Sequence, residues 1–211
     1  MTGIVMGLIL LVAIGILPNS FNIIAVSGVI ISLAYKFIDI FKKAYLFYIV
    51  GLVLASVSLY FYKSVYAELV ITGIVGYSFM FVVMISGVLP RKWLLTRNVR
   101  RNRGMFSILS FIFISPHAIS HVLGLVGGIN LFGIAAYILM VPLTIISFQF
   151  IRKEIDNKDW SRIQKAAYII YGSLFIHLLY VADWENKLVY GVLFTLYINN
   201  KLIKEFRKWS Y

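Results

Sequence analysis

The chain has 211 residues, 61% of them hydrophobic and only 13% charged, with a mean hydropathy of +0.90. Soluble globular domains carry nearer half apolar residues, so composition excludes a water-soluble globule and points to a polytopic membrane protein. The formal charge of +12 sits in short segments between apolar runs, which is the pattern of membrane orientation; a membrane-lipid partner is expected and a nucleic acid is not.

No cysteine is present, which removes disulfides, thiolate-held iron–sulfur clusters and thioether-attached haem and leaves His or oxygen as metal ligands. In chain order, eight candidate spans are read. The first, 3 to 17, has no basic residue ahead of it and no small-residue cleavage site after it, so it reads as a retained span. It ends at the turn Pro18-Asn19-Ser20, which also offers an N-cap to the second span, 21 to 37. Both are short for crossing about 30 Å of hydrocarbon, and they are expected to form a tight hairpin over residues 1–43. The third span is 44 to 62, the fourth 69 to 89, closed by Pro90, and the fifth 105 to 123. The sixth is 129 to 149, the seventh 166 to 182 and the eighth 188 to 203. The expected fold is all-α, a polytopic transmembrane helix bundle of about eight spans, with 44–211 as its main domain. The segment Arg152 to Lys165 reads as a polar loop in which Trp160 anchors at the interface.

Assigning alternate loops to one side places 18 of the 20 Lys and Arg residues together and leaves Lys63 and Lys187 opposite. This predicts a multi-pass protein, bacterial plasma membrane in character, with both termini cytoplasmic.

The three histidines carry the chemistry. His117 and His177 each lie 13 residues beyond the cytoplasmic ends of spans five and seven, at Gly104 and Gln164, or roughly 20 Å along a helix. The two imidazoles therefore share one depth, and on neighbouring helices they suit a bis-His haem b. His121 lies one turn beyond His117 on the same face, as an alternative ligand or a hydrogen-bonding group for a propionate. Histidines in membrane helices also pack helices together or relay protons, and i, i+4 pairs serve zinc. Zinc lacks an Asp, Glu or Cys in these spans to complete a tetrahedral set. A proton-coupled carrier lacks an acidic residue in the membrane core, since Asp39, Glu68, Asp183 and Glu185 lie in or beside loops. Gln149 and Asn130, near span ends, are the remaining polar candidates.

The segment from Trp160 to Tyr180, WSRIQKAAYIIYGSLFIHLLY, resembles the penultimate helix of the ferric reductase-like transmembrane family, and most closely its MsrQ branch, the haem-binding membrane partner of a methionine sulfoxide reductase. Trp160, Tyr168 and His177 fit the pattern, whereas Gln164 stands where that branch has a first His. Arg100 to His117 resembles the family's basic loop and first haem helix, and Thr72-Gly73 the start of the helix before it. The resemblance covers about residues 44 to 203 and leaves the first two spans as an extension.

The resemblance implies b-type haem ligated by His117 and His177, with electrons passing across or into the membrane. A second His pair would fall at Gly104 and Gln164, so it implies one haem, in the outer half of the bilayer. A centre roughly 20 Å along the helix from the cytoplasmic face favours a membrane quinol as donor over a soluble flavoprotein. The expected acceptor is an extracytoplasmic reductase partner or a small oxidant such as ferric iron. No flavin or nicotinamide domain is encoded in the chain, so the donor is separate. The basic run Arg91 to Arg103 reads first as an orientation signal and an anionic-lipid surface, and in a sharper reading Arg100 or Arg103 meets a haem propionate or docks a flavoprotein. Gly124, Gly127 and Gly128 form an outer turn too apolar in context for a phosphate loop. The alternative function is a cofactor-free membrane protein, such as a small permease or an assembly factor.

Overall fold

A computed structural model describes residues 19–36, 43–90 and 92–209. Among these the chain is all-helical, as composition predicts: α1 (Asn19–Lys36), α2 (Ala44–Tyr60), α3 (Glu68–Ile71), α4 (Ile74–Ser86), α5 (Leu94–Arg101), α6 (Arg103–Val122), α7 (Leu131–Ile145), α8 (Gln149–Glu154), α9 (Asn157–Ile163), α10 (Ala167–Val181) and α11 (Trp184–Trp209), with 3₁₀ turns at Val65–Ala67 and Gln164–Ala166. The expected first span, 3 to 17, lies outside the described residues. Two helices, α1 and α6, are long and apolar enough to cross a bilayer by length and composition alone; α2, α4 and α7 are shorter apolar helices.

The seven longer helices alternate in direction. One end of the bundle gathers Asn19, Thr72, His121, Asn130 and Asn186, and the other gathers Ala44, Arg103, Ser147, Arg152 and Gln164. Helix α6, about 30 Å long at its rise of 1.5 Å per residue, runs the full distance and packs against α2, α4 and α7. Its inward face of Phe106, Ile108, Leu109, Ile112 and Phe113 is buried against Val82 and Val83 of α4 and Ala55 of α2. A second core joins Ile23 of α1, Tyr77 of α4, Met140 of α7, Ile170 and Leu174 of α10, and Tyr190 and Phe194 of α11. Helix α1 is tied into this core by polar contacts: the Ser27 hydroxyl donates to the Ser78 carbonyl at 3.3 Å, and Ser78 donates to the Ile23 carbonyl at 3.3 Å.

Helices α4 and α6 meet with almost no side chain between them. A Cβ on Gly76 would lie 2.6 Å from the Ile114 backbone nitrogen, and the Ser110 hydroxyl donates to the Gly76 carbonyl at 2.8 Å. Small residues permit this approach, and it is how apolar helices associate where lipid is as apolar as their side chains. Outward, the bundle stays apolar. Leu46, Ile49, Val50, Val53 and Val57 of α2 are all exposed, Val53 by 56%, as are Leu188, Val192 and Leu196 of α11. An unbroken apolar surface of this kind marks a membrane-associated protein.

Three expectations differ in detail. The fourth span, 69 to 89, is interrupted at Thr72–Gly73, where Gly73 takes a left-handed φ of 81°, a conformation open to glycine at little cost. The polar segment Arg152 to Lys165 is not a loop: it holds the end of α8 and all of α9, and α5 likewise occupies most of the basic run before Gly104. All three are short helices whose polar composition hides them from a hydropathy reading. The sixth span stops at Ile145, the chain turns through residues 146–148, and Gln149 opens α8.

Candidate functional site

Helix α6 carries His117 and His121 one turn apart, with ring centres 4.6 Å from each other. Helix α10 brings His177 opposite, its ring centre 6.2 Å from that of His117 and the planes inclined at 69°. All three line one cavity of about 230 Å³, together with Asn130, Tyr137, Asn186 and Tyr190. The equal depth read from the sequence thus corresponds to spatial convergence.

Local hydrogen bonds fix two of the three rings. Pro116 lies inside α6 immediately before His117; with no N–H of its own it leaves a gap in the helical ladder. The His117 Nδ1 lies 2.8 Å from the Ile71 carbonyl at the end of α3. Because a carbonyl only accepts, Nδ1 must carry the proton, and Nε2 keeps its lone pair. His121 repeats the arrangement, its Nδ1 donating to the Gly128 carbonyl at 3.0 Å. Imidazoles that bind metals are commonly oriented by such a bond from the far nitrogen. The Nδ1 of His177 is buried and has no hydrogen-bond partner among the described residues.

Two glycines make room for the rings. A Cβ at Gly73 would lie 3.2 Å from Cγ of His117, and a Cβ at Gly133 would lie 3.0 Å from both Cε1 and Nδ1 of His177. The interruption of the fourth span is therefore what seats His117, and Gly133 of α7 is what lets His177 approach. Neither glycine stands out as a site residue in the sequence, although Thr72-Gly73 marks a helix start there. Asn130 serves the helix that carries Gly133. Its side chain accepts from the Phe132 and Gly133 amides at 3.0 and 3.1 Å and caps α7, so it also holds Gly133 in place. At the mouth, the Asn186 side chain accepts from the Ser20 amide at 2.9 Å and joins α11 to the start of α1. Positive φ values at Gly124 and Gly127, both 68°, close the turn after α6 as expected.

Arg100 and Arg103 are not at this cavity. With Gly104 and Gln164 they line a second one, of about 450 Å³, at the other end of the bundle. Among the described residues, Met140 of α7 is the one that lines both. Among them, too, no group of three or more His, Cys, Asp or Glu is placed to hold a bare metal ion.

No family model and no solved structure matches the chain. Among curated proteins, a segment is similar to the magnetosome protein MamZ of Magnetospirillum gryphiswaldense, at 26% identity over 104 residues, covering 43% of this chain and 16% of that protein. A shorter segment is similar to an uncharacterized protein of Treponema pallidum, at 36% identity over 44 residues, covering 21% of this chain and 12% of that one. The chain thus matches only a small part of each relative's length.

Proposed function

We propose that this protein is an integral membrane haem b electron-transfer subunit, multi-pass with both termini cytoplasmic, in which His117 and His177 are the axial ligands. The observation that carries the reading is the pairing of these two imidazoles. A ring bound through Nε2 at a bond of about 2 Å has its centre about 3 Å from the metal, so two axial ligands stand about 6 Å apart. His117 and His177 stand at 6.2 Å. A bare ion would need a third protein ligand, which the described residues do not supply, whereas a metal macrocycle brings its equatorial nitrogens with it. The outward apolar faces, the alternating helices and the one-sided basic residues support the membrane placement, and the similarity to a magnetosome protein adds to it.

When bound, haem b would supply a one-electron couple whose potential follows ligation and surroundings. The chain's own residues hold and tune. Ile71 fixes the tautomer and rotation of His117, Gly73 and Gly133 set how closely both rings approach, and the apolar walls exclude water. His121 stands beside His117 as a polar neighbour within the cavity. The donor is a membrane quinol or a separate flavin reductase, and the acceptor is an extracytoplasmic reductase partner or a small oxidant.

The visible spectrum of protein purified from haem-replete cells tests this. A sharp Soret band with a reduced α band, abolished by His177→Ala while helicity persists, is the expected result. A colourless preparation sinks it and favours the second reading, a cofactor-free permease or assembly factor. That reading has its own observation: His117 and His121 are each satisfied by a backbone carbonyl, as packing histidines in membrane helices are.

A further inference from the structure

The second cavity is built around positive charge. Arg100, Arg101, Arg103 and Arg152 line it, and no Asp or Glu does among the described residues. Guanidinium groups stay protonated at any physiological pH, so the half-buried Arg103 and Arg152 bring fixed positive charge into a partly enclosed space that attracts an anion. Of the acidic residues at this end, Asp159 pairs with Arg162 at 3.1 Å and Glu205 with Lys201 at 2.8 Å, and Glu154 and Asp156 are exposed and do not line the cavity. Arg152 is held rigidly, donating to the Ile155 carbonyl at 2.9 Å and to the Asn157 side chain, with its guanidinium carbon 4.6 Å above the Trp160 ring. Beside it, the Trp160 indole N–H is buried, lines the cavity and has no acceptor among the described residues. A fixed donor without an acceptor, next to fixed guanidiniums, specifies an oxygen-rich anion.

The inner wall narrows the class. Below the arginines the cavity is lined by Met80, Met140, Leu143 and Ile170, with Ser107, Thr144 and Tyr171 beside them, and this apolar share of the wall suits the first carbons of an acyl chain. We infer that this cavity binds the phosphate of an anionic phospholipid, with Arg103, Arg152 and the Trp160 N–H on the phosphate oxygens and the start of the acyl region on the methionine and leucine floor. Planar, bidentate donation is what makes arginine suited to phosphate, and the cytoplasmic leaflet supplies anionic lipid. The site is independent of any cofactor at the histidines.

The test uses the full-length chain, delipidated in detergent, with native mass spectrometry to count retained phosphatidylglycerol or phosphatidylcholine. Phosphatidylglycerol is expected to be retained roughly tenfold more tightly, and Trp160→Phe, which keeps the stacked ring and removes only the N–H, is expected to cost roughly tenfold, the value of one charge-assisted hydrogen bond. Arg152→Gln should cost at least as much, and Lys158→Gln, an exposed charge outside the cavity, should cost nothing. Equal retention of the two lipids overturns the inference, as does a loss in Lys158→Gln matching that in Arg152→Gln. Displacement of phosphatidylglycerol by inorganic phosphate at equal concentration also overturns it, because the site would then take free phosphate.

Discussion

The two cavities of this bundle solve opposite problems. At the histidine end what the fold controls is position: a carbonyl from α3 holds one ring, a carbonyl from the outer turn holds another, and two glycines remove the atoms that would keep the rings apart. At the arginine end the groups are charged from the outset, and position matters less than what neutralises them. The histidine cavity should therefore be sensitive to single methyl groups and indifferent to exposed charge, with the arginine cavity the reverse. A polar group buried in an apolar bundle is fixed by its immediate contacts, whereas a cationic cluster at the bundle's rim is fixed by its field.

The largest expected effect tests the frame that carries the histidines. Gly76→Leu forces α4 away from the Ile114 backbone, destabilising the bundle by about 3 kcal/mol, read as a fall in thermal midpoint in detergent and loss of any His117-dependent spectrum. Smaller is Gly133→Ala, whose Cβ falls 3.0 Å from the His177 ring: about 1 kcal/mol of destabilisation, accompanied by a shifted or weakened reduced α band. A neutral outcome in both readouts would show that this glycine does not seat His177. The control from the other cavity is Gly104→Ala, where the new Cβ meets only the Ser147 carbonyl at 3.3 Å. Because Ala is favoured over Gly in a helix by roughly 0.5–1 kcal/mol, the net change there should be near zero, and a loss as large as that of Gly133→Ala would erase the contrast between the two ends.

What could be read from the sequence followed from regular geometry. A helix advances a fixed distance per residue, so 13 residues from Gly104 and 13 from Gln164 put His117 and His177 at one level before any packing is known. The apolar runs are legible for the same reason, and α1, α2, α6 and α10 fall where those runs lie. What escaped depends on single residues breaking that regularity. The left-handed turn at Gly73 interrupts an apolar run without changing its average hydropathy, and the importance of Gly133 depends on a ring 44 residues away in sequence. Arg100 and Arg103 precede His117 closely in the chain, which suggests contact with haem propionates, but α6 spans the bundle and leaves both arginines at its far end. The polar segments escaped differently: α5, α8 and α9 hold few apolar residues, so only hydrogen bonding and packing reveal them.

Met140 belongs to both cavities. On the membrane placement proposed above, the two cavities lie toward opposite faces and come nearest each other around this buried side chain. A transmembrane voltage, worth about 2.3 kcal/mol per elementary charge per 100 mV, would then be focused on the layer of side chains between the two cavities. Any charge passing between the two ends would cross this layer beside Met140, so changing the side chain at this position should alter how steeply the protein's behaviour responds to membrane potential.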